Sequence, residues 1–593
     1  MKLSSGEKTL FQKDLTRFAP FWGLYQLCLI LGLLLLIGGD SRYLPEHLVT
    51  SIQIMSLVSC GYALLTSQLL FGDLYESRMV SGLHALPLRR EQIYTVKILE
   101  GLAFSFGPNL GMALLSIPFL SSTHVVGAWK LAFLWLLAVQ LQYLFFFGLG
   151  AFCALCAGNR LGQAALYGMA SFGGFLVIFL IDSLYTPMLY GVVTPMDRFM
   201  RLCPLFYIPE HPSSELVEFV GPLYSYEPGY WTTPVELKLG SLWGYLWAIG
   251  AEGVLLMILG FILYRVRKLE RAGDLVAVKT MEPVFLVGVS IMGASVMGLM
   301  RTAVSFLEGP AMGTLFVALG MGAGWILGQM LLKRTLHVFQ WRNFLGLGAL
   351  AAAVGVSLLM TWQDFAGIAD WVPEPEQVQS ARVTAYRYYG DEDMQEDPDV
   401  IADVIALQQQ ALEDRVPRQD VFDGSVTFAS VAYQMKNGRT VIRDYYVPVD
   451  SPGGRTLAQL LSDPDLVLGR EMLALDWNRE GVRVWISGLG NQHMLTTGTD
   501  GEDPEIPVTD LMALKEAVLA DCAAGHMAGE SAFHPDPVLD LEVEKLYGIS
   551  VFVEAPGDMA RSFTVYADSE HCLAWMEKQG ILAVLEQELE QMN

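Results

Sequence analysis

Nine long apolar runs fill residues 1–362, and residues 363–593 then switch to short alternating and helix-period patterns bounded by polar turns. The runs cover 19–38, 47–72, 98–120, 129–157, 163–189, 240–264, 283–300, 311–333 and 343–362. Each comes near the ~20 residues needed to cross a hydrocarbon core. Backbone in hydrocarbon must satisfy its own hydrogen bonds, so each run predicts a helix. The expected fold class is a polytopic α-helical membrane protein of about nine transmembrane helices with a C-terminal α+β extracytoplasmic domain.

The tail pattern is richer. Residues 379–389 read as a strand and 399–414 as a helix, and two β-rich runs in 425–449 are joined by Asn437-Gly438, a type I′ hairpin signal. Helices follow near 455–462 and 508–523, strands near 482–487, 548–554 and 562–567, and a last helix over 569–591. Ahead of the first run, Leu10, Phe11, Leu15 and Phe18 share a helical face with Lys8, Lys13 and Arg17 elsewhere. That predicts a short helix lying in the membrane interface, the alternative being a solvated lead-in.

Charge separates the two parts. Residues 1–362 hold 23 Lys+Arg and 20 Asp+Glu (+3), residues 363–593 hold 15 and 42 (−27), and together they give the chain's −24. A tail this acidic does not suit nucleic acid or anionic lipid. Basic residues gather in alternate loops: Lys2, Lys8, Lys13 and Arg17; Arg78, Arg89, Arg90 and Lys97; Arg160; Arg265, Arg267, Lys268, Arg271 and Lys279; Lys333, Arg334 and Arg342. The opposite loops carry Arg42, Lys130, Arg198, Arg201, Lys238 and Arg301. The bias predicts a cytoplasmic N-terminus, and nine crossings put the tail outside. Gly38-Gly39-Asp40 is a poor cleavage site, so the first run reads as an uncleaved anchor.

Seven cysteines make no disulfide framework. Cys153 and Cys156 have the spacing of a redox or zinc motif but sit in an apolar run, where packing is the plainer role. Cys522 and Cys572 share the tail and are candidates for a disulfide. No phosphate-cradling loop, HExxH, nucleophile elbow or paired histidine cluster occurs, so neither a catalytic residue nor a metal site is expected. Gly320, Gly324 and Gly328 recur every four residues and predict close helix packing. Gln140 and Gln142 suit hydrogen bonds between helices, Pro108-Asn109 a kink in the third run, and Asp182 the outer end of the fifth. Glu252, midway along the sixth, should face protein or a water-filled path.

Residues 73–97 form the longest early loop on the cytoplasmic side. Leu74, Tyr75, Met79 and Val80 fall at helical spacing with Glu76 and Arg78 between them, then Leu86-Pro87 and Arg89-Arg90 end the segment. That predicts a short amphipathic helix held between two spans. The segment resembles the first cytoplasmic loop of type-2 ABC exporter permeases, where Glu-x-Arg, a Gly and then L-P-x-x-R recur. The matching residues are Glu76, Arg78, Gly82, Leu86, Pro87 and Arg90, with Arg89 alongside. A second likeness is the basic run Tyr264–Asp274, similar to one in such permeases of Gram-positive type. The resemblance covers about residues 5–274 and departs in the three extra spans and the tail.

The chain thus divides into four expected regions: a cytoplasmic interfacial helix over 1–18; a six-span core over 19–274, which the resemblance implies is a permease with its coupling loop at 73–97; three additional spans over 275–362; and the acidic α+β extracytoplasmic tail over 363–593. The resemblance implies a coupling helix docked on a separate ATP-binding subunit. ATP and magnesium then belong to that partner and no cofactor to this chain. A second permease copy or a paralogue completes the assembly, in the cell membrane. A membrane sensing or immunity module, binding an extracellular peptide or cell-wall component without transporting it, is the alternative function.

Overall fold

The computed structural model describes residues 5–38, 44–76, 79, 88–121, 127–194, 200–220, 236–267, 273–302, 310–385, 394–416, 425–479, 482–487, 492–496, 505–508, 510–529, 533–534, 536–540, 545–555 and 559–591. The chain divides into two compact units, Met1–Pro187 with Met196–Leu359, and Met188–Pro195 with Met360–Asn593.

The first unit is helical. A short helix α1 (Ser5–Arg17) precedes α2 (Ala19–Gly38), α3 (Leu44–Leu70), α4 (Arg90–Leu120), α5 (Ala128–Cys156) and α6 (Arg160–Leu184). After a short α7 (Pro204–Glu210) and the two-stranded ribbon β1 (Val217–Val220) and β2 (Glu236–Leu239) come α8 (Trp243–Val266), α9 (Glu282–Thr302), α10 (Pro310–Lys333) and α11 (Trp341–Trp362). Among the described residues, nine helices are long and apolar enough to cross a membrane. They match the nine apolar runs, with one informative difference. α4 begins at Arg90, eight residues before the predicted run, because Lys97 is buried and paired rather than solvated.

α5 is the most buried of these helices and packs against α3, α4 and α8. Its crossing with α8 is a backbone contact: a Cβ on Gly148 would fall 2.4 Å from the Gly253 carbonyl oxygen. Around it Tyr62 stacks on Tyr25, their ring centres 3.9 Å apart, and lies beside Tyr143. Asn109 ties the neighbouring turns together, its amide meeting Ser105 and Gln140 while its oxygen accepts from Tyr25. α4 stays helical through Pro108, and Gln142 donates to the Ile52 carbonyl of α3, an interhelical bond as expected. Cys153 and Cys156 are buried free thiols. α9 and α10 form a hairpin in which Gly293, Gly320 and Gly324 bring the backbones together, and Gly328 meets Leu286. α11 buries none of its residues.

The second unit opens with β3 (Val378–Thr384), α12 (Pro398–Asp414), and the hairpin β4 (Val426–Met435) and β5 (Thr440–Pro448). These strands form an antiparallel sheet in the order β3-β4-β5. Asn437-Gly438 makes the turn, with Gly438 at φ 79°. Then follow α13 (Pro452–Leu461), α14 (Pro464–Val467), α15 (Gly469–Ala474), β6 (Arg483–Ser487), β7 (Gln492–Thr496), β8 (Glu505–Pro507) and α16 (Leu511–Ala524). Last come β9 (Leu539–Asp540), β10 (Lys545–Leu546), β11 (Ile549–Ala555), β12 (Met559–Val565), α17 (Glu570–Lys578) and α18 (Ile581–Gln591). The second sheet runs β12-β11-β6-β7-β8. The predicted final helix is two, broken at Gly580 (φ 77°).

Residues 188–195 belong to this unit although they follow α6 in the chain. Val192 bridges Arg443 of β5, the Asp444 amide donates to the Gly191 carbonyl at 3.0 Å, and Tyr190 donates to the Ala411 carbonyl of α12. The segment covers what would otherwise be an open sheet edge. Four of the long apolar helices, α8 to α11, lie between it and the tail; an even number of crossings puts both on one side of a membrane.

Candidate functional site

The turn that leaves α3 is fixed before the segment reaches solvent. Gly72–Tyr75 is a single 3₁₀ turn, and most of the amphipathic helix that the spacing suggested after it lies outside the described residues. Leu74 and Tyr75 are buried in the bundle, and the Tyr75 hydroxyl donates to Gln163 of α6. Gln163 in turn donates to Ser67 of α3 and to the Gly150 carbonyl of α5 at 2.8 and 3.0 Å. One side chain thus joins the turn to three helices.

A buried ion pair holds the other side of the turn. The Lys97 ammonium lies 2.6 and 2.7 Å from the two carboxylate oxygens of Asp73 and also donates to the Leu70 carbonyl. Three residues on along α4, Glu100 is fully buried, and neither carboxyl oxygen has a hydrogen-bond partner among the described residues. Asp14 of α1 is close enough to act on Lys97 and Asp73; burial pushes its carboxyl above the ordinary value, against the pull of Lys97 and Arg17. With its ammonium bonded to Asp73 and to the Leu70 carbonyl, Lys97 sets the position of the turn in this structure.

Glu76, Met79 and Arg89 are exposed. Arg90 is half-buried and lies 3.4 Å from the Arg267 carbonyl. Arg78, Val80, Gly82, Leu86 and Pro87 lie outside the described residues, as do Lys268–Ala272 of the basic run. Of that run, Arg267 is buried and donates to the Ala154 and Ala157 carbonyls at 2.9 Å, satisfying the last turn of α5. Residues beyond it strap onto the corner between α5 and α6, through the Ala157–Val276 bridge and the Gly273 amide on the Gly158 carbonyl.

Glu252 does not face the interior of this bundle. Gly253 turns inward to meet α5, and the helix then points the preceding side chain outward. Beside it Gly244, Ala248 and Ala251 present a small-residue surface. Asp182 is half-buried near the end of α6. Cys522 and Cys572 are free, so the disulfide considered from the sequence is not formed in this structure. The adjacent Asp521 explains their positions: its buried carboxylate accepts from the His571 and Cys572 amides and caps α17.

Three residues of the site escaped the sequence reading. Asp73 and Gln163 gave no signal, because each is ordinary at a helix end until its partner is known. Glu100 did give one: an acidic residue within an apolar run, three after a lysine. The chain matches no family model, no curated protein and no solved structure.

Proposed function

We propose that the chain is the membrane-spanning subunit of an ATP-driven exporter of the type-2 ABC kind, worked by a separate ATP-binding subunit docked beneath residues 72–90. The carrying observation is the construction of that segment: a turn clamped to α3, α4 and α6 by Tyr75–Gln163 and Lys97–Asp73, continuing into the outward-facing Glu76, Met79 and Arg89. A handle held at its root by these contacts transmits a push into the helices that hold it. Leu74 and Tyr75 form the root in this reading, and the exposed residues form the docking face.

An outward carboxylate on α8 fits the same proposal. A charge against lipid costs about 2.5 kcal/mol or more, so Glu252 calls for protein or water opposite it. A second permease copy or a paralogue supplies that surface, and Glu252 then lines the path between the two. The alternation of basic loops favours a cytoplasmic docking segment and an external tail in the cell membrane.

Co-purification tests the reading. The full-length chain should capture the ATP-binding protein encoded beside it, and Glu76→Arg together with Arg89→Glu should abolish capture without changing the chain's melting temperature. Unchanged capture by that double variant would remove the docking assignment.

A further inference from the structure

We infer that Lys97 has two seats, Asp73 and Glu100, and that the vacant second seat lets the turn at 72–75 detach from the bundle without stranding a buried cation. Asp73 is the seat occupied here, its side chain 17% exposed against 5% for Lys97. Glu100 lies deeper on the same helix as Lys97. Residues three apart on a helix are neighbours, about 5–6 Å between Cβ atoms, well within reach of a lysine side chain.

The vacancy is the observation that needs explaining. A buried polar side chain without a partner is rare and costly, and among the described residues neither oxygen of Glu100 has one. The charged groups within electrostatic range of it are Asp14 of α1, Asp73 of the turn and Lys97 of its own helix, so Lys97 is the one cation among them. A carboxyl with no donor is stable as the neutral acid. When Asp73 leaves, the Lys97 ammonium swings one turn along α4, and Glu100 gives up its proton to water and accepts the ammonium. Asp73, already partly exposed, takes up solvent in exchange. Charge is conserved inside the bundle: before and after, one buried ammonium faces one carboxylate.

The geometry explains why a carboxyl is present at all. With an apolar residue at 100, pulling the turn outward would leave Lys97 buried and unpaired, and the turn would be locked. With Glu100 present, the ion pair changes partner instead of breaking. The inference concerns the turn alone and stands whether or not an ATP-binding subunit docks there.

Its test is a double-mutant cycle on the full-length chain in detergent, read by thermal unfolding. Asp73→Ala alone should shift the melting temperature little, since Lys97 moves to Glu100, and Glu100→Gln alone should be near neutral. The double variant should melt several degrees below the sum of the two shifts, and Lys97→Met should abolish that excess. Infrared spectroscopy gives an independent signature: a protonated-carboxyl band assigned by its loss in Glu100→Gln should also disappear in Asp73→Ala. Additive shifts, or a band that persists in Asp73→Ala, overturn the proposal. So does an Asp73→Ala chain that fails to fold while Asp73→Ala/Lys97→Met folds, because a second seat would have rescued the first.

Discussion

Tyr445 of β5 lies directly over Gly191: a Cβ at that glycine would come 2.2 Å from the ring's Cε1 atom. Gly191 also holds φ 69°, a left-handed conformation that side chains resist. The contact fixes a segment from the far end of α6 onto the sheet of the tail. Gly191→Val should therefore release residues 188–195 from β5, at a cost of about 1–3 kcal/mol. Hydrogen exchange at the Asp444 amide, which donates to the Gly191 carbonyl, reads this directly: faster exchange there, with the β3–β4 pairing still protected.

The α9–α10 hairpin gives a prediction with an internal control. A Cβ at Gly320 would come 2.3 Å from the Gly293 carbonyl oxygen, whereas one at Gly322 meets nothing within 4 Å. Gly320→Leu should push the helices apart and lose about 1–3 kcal/mol, with Gly322→Leu close to neutral. Denaturation in mixed micelles followed by helical circular dichroism compares the two. Equal effects would mean that close packing is not what the glycines provide.

The membrane helices were legible because their signal is long and redundant. All nine apolar runs became helices, with ends shifted by a few residues. The Asn437-Gly438 hairpin was legible because a turn residue specifies local backbone, and the helix read over 399–414 was found as Pro398–Asp414. What stayed hidden depends on contacts distant in sequence. Short strands such as β7 and β8 have too few residues to show a period, and they exist because β6 offers an edge to β7 and β7 one to β8. The 188–195 strap reads as plain loop until β5 is placed beside it. Around the candidate site, the exposed Glu76, Met79 and Arg89 were marked by the alternation of polar and apolar positions. The clamp was not: Tyr75 and Gln163 are 88 residues apart, and nothing local pairs them. Glu252 was correctly noticed as out of place in an apolar helix, but which way it points depends on Gly253 meeting α5.

Arg267 tests the cytoplasmic corner predicted from the basic run. Its guanidinium bonds to two carbonyls at the end of α5, and it is buried, so no water replaces those bonds. Arg267→Ala should cost about 2–4 kcal/mol as both carbonyls lose a charged donor. Arg267→Lys keeps the charge but not the forked geometry and should recover only part of that loss. The two variants, compared by melting temperature with Arg265→Ala, separate the buried role from the exposed Arg265–Glu91 pair.

The tail's thiols predict a pH dependence. Burial pushes the Cys522 thiol up to about 12 and Cys572 still further, with the nearby acidic groups adding to the effect. Both should resist alkylation in the folded chain at pH 8 and react once it unfolds. The sign for stability follows from the raised values. The unfolded thiols ionise above their ordinary value of 9.0 while the folded ones keep their protons, so the contribution is complete below that pH and is lost as pH rises toward 12. Cys522→Ser and Cys572→Ser should flatten this alkaline fall.

Sidedness is the last prediction, and two independent arguments bear on it. The basic residues cluster in the loops that alternate with the tail's side, which predicts the segment 72–90 inside and the tail outside. The strap adds a constraint that charge cannot supply. Residues 188–195 and the tail form one folded unit, so any count of crossings between them must be even, and α8 to α11 make four. One cysteine at a time tests both ends in intact cells with a membrane-impermeant maleimide. Glu413→Cys, exposed at the end of α12, should label at once; Glu76→Cys, exposed beyond the turn, should label only after permeabilisation. The reverse pattern would turn the whole topology over and place the tail in the cytoplasm. Labelling of both sites, or of neither, would mean that the number of crossings between them is not odd, which contradicts the seven helices α4–α6 and α8–α11 that separate residue 76 from residue 413.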